Sequence, residues 1–406
     1  MIYLTIFLAL LIFIYRYDYC GCSKGRTFWY VATLLTLIVV AGLRYRIGID
    51  SIRYEEYYKN LHTLGELNTS DFLNTRFAPI YIIITSACRT ITSDFTLVQF
   101  VVSAIVNCTI FWFIKSNTRH VFFAIFLYYI FLYLNLNTEV LREALAVSAF
   151  LISWPFYRKG QWVWYYVMAI VAFFCHVSAL MMFVLPVLSL PGVRWLFTFG
   201  KRTIVICLVL AAVSFYVRYF LFDFVQMIAF TENMAERAEV YSKSDLSSSS
   251  LNIFGVLSTV IRYFIYPFLA LCFLVGWKRG RQPQVIPEKQ QVMTLCAVYV
   301  AILTIGIAIF TRYGNYFFFF IFILLADWIF SDFKARNGRR IRLKPFYWVL
   351  IFVPLVSMQI YAAYFSKVNR SGSLKIYMMY YPYYHRLDPK EDPSRENIIR
   401  YSRHFS

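Results

Sequence analysis

Long apolar runs separated by short polar breaks fill most of the chain. Ile2–Tyr19 and Phe28–Leu43 come first, followed by a short run, Pro79–Ile91. Phe95–Ile114, Val121–Leu136, Val140–Phe156 and the long stretch Trp162–Leu190 come next. Thr203–Phe222, Asn252–Trp277, Gln291–Phe310, Asn315–Phe330 and Phe346–Phe365 complete the set. Within each run the apolar residues are continuous rather than alternating. That pattern fits helices and argues against the strands of a lipid-spanning barrel. A helix needs about 20 residues to cross a bilayer. The pattern therefore predicts an all-α polytopic membrane protein with about 12 transmembrane helices.

The breaks between runs sort by charge. Basic residues occur at Arg16/Lys24/Arg26, Lys115/Arg119, Arg158/Lys159, Arg194/Lys201/Arg202, Lys278/Arg279/Arg281 and in KARNGRRIRLK, Lys334–Lys344. Positive charge holds short loops in the cytoplasm, so all of these are expected inside. Two conditions make that consistent. Pro79–Ile91, about 20 Å long at 1.5 Å per residue, is a re-entrant or surface helix rather than a span. Trp162–Leu190 goes out and comes back, breaking near Cys175–His176. Both termini are then outside. Residues 1–366 form a single transmembrane domain with outer loops 44–78 and 223–251, and residues 367–406 form a polar, tyrosine-rich outer tail. The first fifteen residues lack a basic flank and a small-residue cleavage site, as expected of a retained first span.

Composition supports the membrane reading. The chain is 60% hydrophobic, against about 45–50% for an ordinary soluble domain. The net charge of +19 does not point to nucleic acid, because the basic residues sit in short loops rather than on a soluble folded face. Six of the eight cysteines lie in or beside apolar runs, where they pack as small buried residues. Cys20 and Cys22 form a C-x-C pair, but no second pair stands at metal-site spacing. There is no G-x-x-x-x-G-K-[ST], H-E-x-x-H or G-x-S-x-G. Nucleotide hydrolysis, zinc proteolysis and serine-esterase chemistry are thus without support.

The polar groups left over fall on the outer side. The segment GLRYRIGIDSIRYEEYY follows the second run and holds Arg44, Arg46, Asp50 and Tyr54. Arginine at the outer end of a span runs against the topological bias. Two arginines two residues apart, followed by Gly48, suit a phosphate clamp of forked, permanently charged donors. Asp50 is placed to cap a helix that carries Tyr54 one turn on. The alternative is an ion-paired belt at headgroup depth. In NTEVLREALAVSAF, Asn137 or Thr138 is placed to cap a helix carrying Arg142 a turn inside. Glu139 stands three residues before that arginine, and Glu143 one turn from Glu139. A self-neutralising Glu–Arg pair is the simpler alternative. His176 suits a general base or a phosphate donor, or a plain backbone hydrogen bond. Arg312 and Tyr313, before Gly314, repeat the arginine–aromatic–glycine pattern at another outer edge. Arg218 and Arg262 lie near or within apolar runs and can snorkel. The tail SLKIYMMYYPYYHRLDP suits sugar stacking or a membrane interface.

In order along the chain, five elements resemble the EpsG family of Wzy-like bacterial polysaccharide polymerases. They are GLRYRIGIDSIRY, the segment Phe77-Ala78-Pro79 with Tyr81, LREALA, HVSAL at His176–Leu180 and RYGNYF at Arg312–Phe317. Two departures stand out. Ala78 replaces a frequent acid before the proline, and Glu139 and Glu143 stand where the family often has Asn and Gln. The resemblance implies a GT-C-like or Wzy-like bundle in the bacterial cytoplasmic (inner) membrane. It implies polymerisation of undecaprenyl-diphosphate-linked repeat units at the periplasmic or outer face.

On that implication Arg44, Arg46, Tyr54, Arg142, Arg312 and Tyr313 bind substrate, with the arginines holding the departing diphosphate. Asp50, Glu139 or His176 serves as the base. The arginines can neutralise the diphosphate, so no metal and no cofactor is expected. Expected partners are the lipid-linked oligosaccharide, membrane lipids, and a flippase and chain-length regulator; nucleic acid is not. A glycan ligase of similar fold is the nearest alternative. A transporter of lipid-linked sugars is favoured less, because it would place a charged path at the midplane. A surface acyltransferase is also disfavoured, since the first histidine is His62.

Overall fold

The computed structural model describes residues 2–73, 75, 77–197, 200–228, 287–304, 310–330, 333–334, 340–341 and 375–403. The expected spans Asn252–Trp277 and Phe346–Phe365, residue Arg262, the cluster Lys278–Arg281 and most of outer loop 223–251 lie outside the described residues. Arg218 lies in a described helix. The chain divides into two units, residues 1–187 with 378–393, and residues 188–377 with 394–406.

The first unit is an antiparallel helical bundle. Helix α1 (Ile2–Phe13) runs on as a π-helical turn, Ile14–Tyr19. Next come α2 (Arg26–Gly42), α3 (Ser51–Lys59), α4 (Thr69–Leu73), α5 (Pro79–Ile91) and α6 (Thr96–Asn117). Helix α7 (Val121–Tyr128) is extended by π-helical turns at Tyr129–Tyr133 and Asn135–Glu139, and is followed by α8 (Leu141–Lys159) and α9 (Trp162–Cys175). Every residue of α7 is buried, which marks it as the central helix. Between helices in lipid, packing and internal hydrogen bonds supply the cohesion. At Gly42 a Cβ would lie 2.5 Å from the Phe100 ring, so only glycine lets α2 approach α6 this closely.

Asp18 marks one end of the bundle. Its carboxylate accepts from the Phe123 amide at 2.8 Å and from Arg26 at 3.4 Å, while Arg26 also donates to the Arg119 carbonyl. The basic breaks around Arg26, Lys115, Arg119 and Lys159 fall at this end, as the charge pattern anticipates.

The opposite end carries the loop after α2, the turn between α7 and α8, and the short helices α3 to α5. Pro79 occupies the first turn of α5, where its missing N–H costs nothing. Both ends of α5 stay against α3: Phe77 packs on Tyr54 at 5.9 Å, and the Thr92 carbonyl accepts from the Tyr58 hydroxyl at 2.7 Å. Both ends of α5 therefore lie at this end of the unit, and the helix does not carry the chain to the other.

Helix α9 ends at Cys175 and His176 is extended, with φ −162° and ψ 137°. The following turns fold back, placing the Met182 carbonyl 2.7 Å from the Tyr165 hydroxyl and the Leu185 carbonyl 3.3 Å from that of Tyr157. The break thus falls where the sequence places it.

In the second unit, Glu288–Leu303 packs against Phe310–Phe330 and Lys201–Ile228. Ser214 donates to the Leu303 carbonyl at 3.0 Å, and Arg194 pairs with Glu288 at 3.0 Å. Phe333–Lys334 and Arg340–Ile341 form a minimal antiparallel pair. Among the described residues, Ile2–Tyr19, Thr96–Asn117 and Phe310–Phe330 are long and apolar enough to cross a membrane unaided. Five shorter apolar helices, Arg26–Gly42, Pro79–Ile91, Val121–Tyr133, Trp162–Cys175 and Arg202–Ser214, accompany them. The protein is an all-α membrane protein.

Candidate active site

The loop Leu43–Asp50 is shaped by two residues in the left-handed region, Arg46 at φ 47° and Gly48 at φ 100°. Glycine takes this conformation without strain, whereas arginine does so at a cost. A Cβ on Gly48 would stand 3.0 Å from Glu139 Oε1 and 3.2 Å from the Thr138 carbonyl. The loop is therefore pressed onto the end of α7.

Glu139 braces this loop. Its Oε2 accepts from the Ile49 amide at 2.8 Å, its Oε1 accepts from the Tyr380 hydroxyl at 2.7 Å, and the Asp50 amide also donates to it. Glu139 closes a π-helical turn, and Val140, at φ −112° and ψ 52°, breaks the chain before α8. Two expectations are corrected here. Glu139 and Glu143 do not share one helical face. Nor do Asn137 and Thr138 cap α8: Asn137 donates to the Tyr133 carbonyl and Thr138 to the Leu134 carbonyl, both within their own helix. Arg142 is consequently the second residue of α8, not one turn inside it.

A buried amide network holds the π-helical turn. Asn107 on α6 donates to Asn137 Oδ1 at 2.7 Å and accepts from the Tyr128 hydroxyl at 2.9 Å, while Asn137 donates back to that hydroxyl at 2.9 Å. Every member is paired, which is what makes a buried polar network stabilising. Such π-helical turns recur at functional sites.

Arg44 is only 3% exposed. It donates to the Ala41 carbonyl, and Glu139, Tyr133, Tyr3 and Tyr81 are its electrostatic neighbours. Its Nε has no hydrogen-bond partner among the described residues. A buried guanidinium carrying an unused donor is costly unless an anion completes it. Arg44 lines a small open cleft together with Arg46, Arg386, Asp94 and Gln99. Arg46 pairs with Glu391 at 3.0 Å and lies 3.8 Å from Glu55.

Asp50 stands at the N-cap of α3, but its carboxylate makes no capping bond. It turns to Arg53 at 3.4 Å and remains 37% exposed, which corrects the capping expectation. Tyr54, one turn on, is buried and hydrogen-bonds Arg142. The Arg142 guanidinium lies 4.8 Å from the centre of the Phe77 ring, and Phe77 in turn packs on Tyr54, Tyr57 and Tyr81. An aromatic wall with an arginine against it results.

Arg44, Arg46, Asp50, Tyr54, Glu139 and Arg142 are thus brought together at one end of the first unit. His176 is engaged with its own turn: its Nδ1 accepts from the Ser178 amide at 3.1 Å and lies 2.7 Å from the Ser178 hydroxyl. In the neutral ring this leaves the proton on Nε2. Arg312 and Tyr313 lie in the second unit, in the first turn of Phe310–Phe330, where Tyr313 packs on Phe310 at 5.6 Å.

Sequence reasoning missed the residues after Tyr377. Tyr380 reaches Glu139, and Arg386 pairs with Asp94 at 3.1 Å. His385 forms a β-bridge with Arg44, flanked by bonds from the Tyr45 amide to the Tyr384 carbonyl (3.0 Å) and from the Arg386 amide to the Leu43 carbonyl (2.8 Å). The dense tyrosines of this segment were the only visible signal. Among the described residues no group of three or more His, Cys, Asp or Glu side chains could hold a metal ion.

No curated protein and no solved structure matches the chain significantly. The model of the EpsG family matches residues 27–385, which takes in the Arg44 loop, the Glu139–Arg142 turn and Tyr380. The chain belongs to the EpsG family.

Proposed function

We propose that this protein is a membrane glycosyltransferase that polymerises lipid-linked oligosaccharide repeat units, the activity its family membership suggests. The growing glycan leaves its undecaprenyl diphosphate and joins the non-reducing end of a fresh unit, at the outer face of the bacterial cytoplasmic membrane. The observation that carries the reading is Arg44, a buried guanidinium with an unused Nε donor, in a residue that also lines a cleft with Arg46 and Arg386.

In the transfer, an acceptor hydroxyl oxygen bonds to the anomeric carbon as the bond from that carbon to the diphosphate oxygen breaks. The bonding pair leaves with the diphosphate, where negative charge grows. Fixed guanidinium groups aimed at that charge lower the barrier. Arg44 and Arg46 take this role, with Arg142 beside the aromatic wall. The hydroxyl proton passes to a carboxylate. Geometry favours Asp50, whose carboxylate is partly open, over Glu139, whose two oxygens already accept from Ile49 and Tyr380. His176, with Nδ1 occupied, acts as a donor from Nε2. Tyr54, Phe77 and Tyr81 offer ring faces to a sugar. A flippase delivering the units and a chain-length regulator are the partners this reading calls for.

Polymer length in a strain lacking the protein tests the proposal. Wild type is expected to restore long chains. Arg46→Ala and Arg142→Ala, at equal membrane levels, leave single units on lipid. Long chains with both variants would remove the arginines from the site. Accumulation of units on the cytoplasmic side would make the protein a translocator.

A further inference from the structure

The anion cleft contains an arginine that the reading above leaves unassigned. Arg386 lies one residue beyond the end of the family match and joins Arg44 and Arg46 in lining the cleft. Its place is not that of a loose tail. The His385–Arg44 bridge and its flanking backbone bonds fix residues 384–386 beside the Arg44 loop. Tyr383 anchors the same segment by donating to the Val40 carbonyl at 2.8 Å.

The guanidinium of Arg386 lies 5.6 Å from the centre of the Tyr45 ring, and that of Arg46 lies 5.4 Å from the same ring. Two like charges are held around one ring while a third, Arg44, is buried nearby. Gathering like charges opposes folding unless counter-charge is supplied. Rim carboxylates meet both outer arginines, while Glu55, only 18% exposed, lies 3.8 Å from Arg46. Asp94 is 40% exposed and Glu391 is 70% exposed. Both are placed where an incoming anion can displace them.

Resting on the polymerase reading, we infer that Arg386 is a third anion-binding arginine of this cleft, taking the same diphosphate-class anion as Arg44 and Arg46. Asp94 holds Arg386 at 3.1 Å. When the anion arrives, the guanidinium exchanges a carboxylate at the rim for phosphate oxygens in the cleft. The C-terminal segment from Tyr383 to Arg386 is then part of the binding site rather than an appendage.

The test is inorganic pyrophosphate binding by the full-length protein in detergent micelles, read by calorimetry, with the melting temperature of each variant as a control for folding. Wild type is expected to bind, and Arg386→Gln to weaken binding about tenfold, the size of one lost charge-assisted hydrogen bond. Asp94→Asn is the discriminating arm. Asparagine still accepts from the Thr96 amide, which Asp94 receives at 3.0 Å, so the first amide of α6 keeps its partner. It removes the charge that competes for Arg386, so pyrophosphate is expected to bind more tightly. Lys390→Gln alters an exposed pair with Asp388 and leaves binding unchanged. If Arg386 serves only as a strut to Asp94, Asp94→Asn weakens binding or leaves it unchanged, and the inference falls. If wild type binds and Arg386→Gln binds equally well, the inference falls while the Arg44–Arg46 reading survives. If wild type does not bind pyrophosphate, the cleft is not an anion site and the underlying reading fails.

Discussion

The Tyr380 hydroxyl donates to Glu139 Oε1 at 2.7 Å, joining residues 241 positions apart in the sequence. The same carboxylate holds the Ile49 amide, so one side chain ties the Arg44 loop, the end of α7 and the C-terminal segment together. Tyr380→Phe removes only the hydroxyl. A hydrogen bond to a charged group contributes about 1.5–3 kcal/mol, so the melting temperature is expected to fall and chain extension to slow. Unchanged stability and activity would show that the segment is not clasped by this bond.

Gly48 supports the same junction from the other side. Gly48→Ala forces a left-handed alanine, at about 1–2 kcal/mol, and brings a methyl against Glu139 and Thr138. Thermal unfolding in detergent is expected to show a loss larger than the backbone cost alone. Full activity in this variant would contradict the close packing of loop and turn.

The Asn107–Asn137–Tyr128 network holds the π-helical turn that ends at Glu139. Asn107→Ala leaves Asn137 Oδ1 and the Tyr128 hydroxyl without the partner they share, at about 1–3 kcal/mol for each buried group. Reduced melting temperature together with reduced polymer length is the expected result. A variant that loses stability but keeps full polymer length would uncouple the network from the site.

Helix existence was legible because continuous apolar runs specify buried helices whatever their detailed winding. The break at Cys175–His176, the short α5 and the gathering of Arg44, Arg46 and Asp50 followed from run length and charge. The π-helical turns were not legible, since an extra residue within an apolar run leaves composition and hydropathy unchanged. Asp50 stands where a cap belongs, yet its carboxylate turns to Arg53, a choice between two local partners that spacing alone cannot decide. Tyr380 and Arg386 escaped because their partners, Glu139 and Asp94, are hundreds of positions away, and no periodicity encodes such a pairing.

Asp94 gives the C-terminal clasp a pH dependence. Burial alone would raise its pKa, but hydrogen bonds from the Thr96 amide and hydroxyl and from Arg386 outweigh that and hold it below its ordinary value. A depressed carboxylate contributes stability above its unfolded pKa of about 4, lost as pH falls through the lower folded value. The melting-temperature difference between wild type and Asp94→Asn is therefore expected to be constant at neutral pH, to shrink as pH falls below about 4, and to vanish once the pH is below the lower folded value. A difference that persists into strong acid would show that the carboxylate's charge is not what holds Arg386.

The central claim is that a buried arginine stabilises a departing lipid diphosphate. Purified protein in proteoliposomes, supplied with lipid-diphosphate-linked repeat units, tests it by following glycan length and polyprenyl diphosphate release together. Wild type is expected to release one lipid diphosphate for each unit joined. Arg44→Gln, confirmed as folded by its melting temperature, is expected to slow both by about 100-fold or more. Chain extension at the wild-type rate in that variant, or extension by wild type without release of lipid diphosphate, would contradict the account.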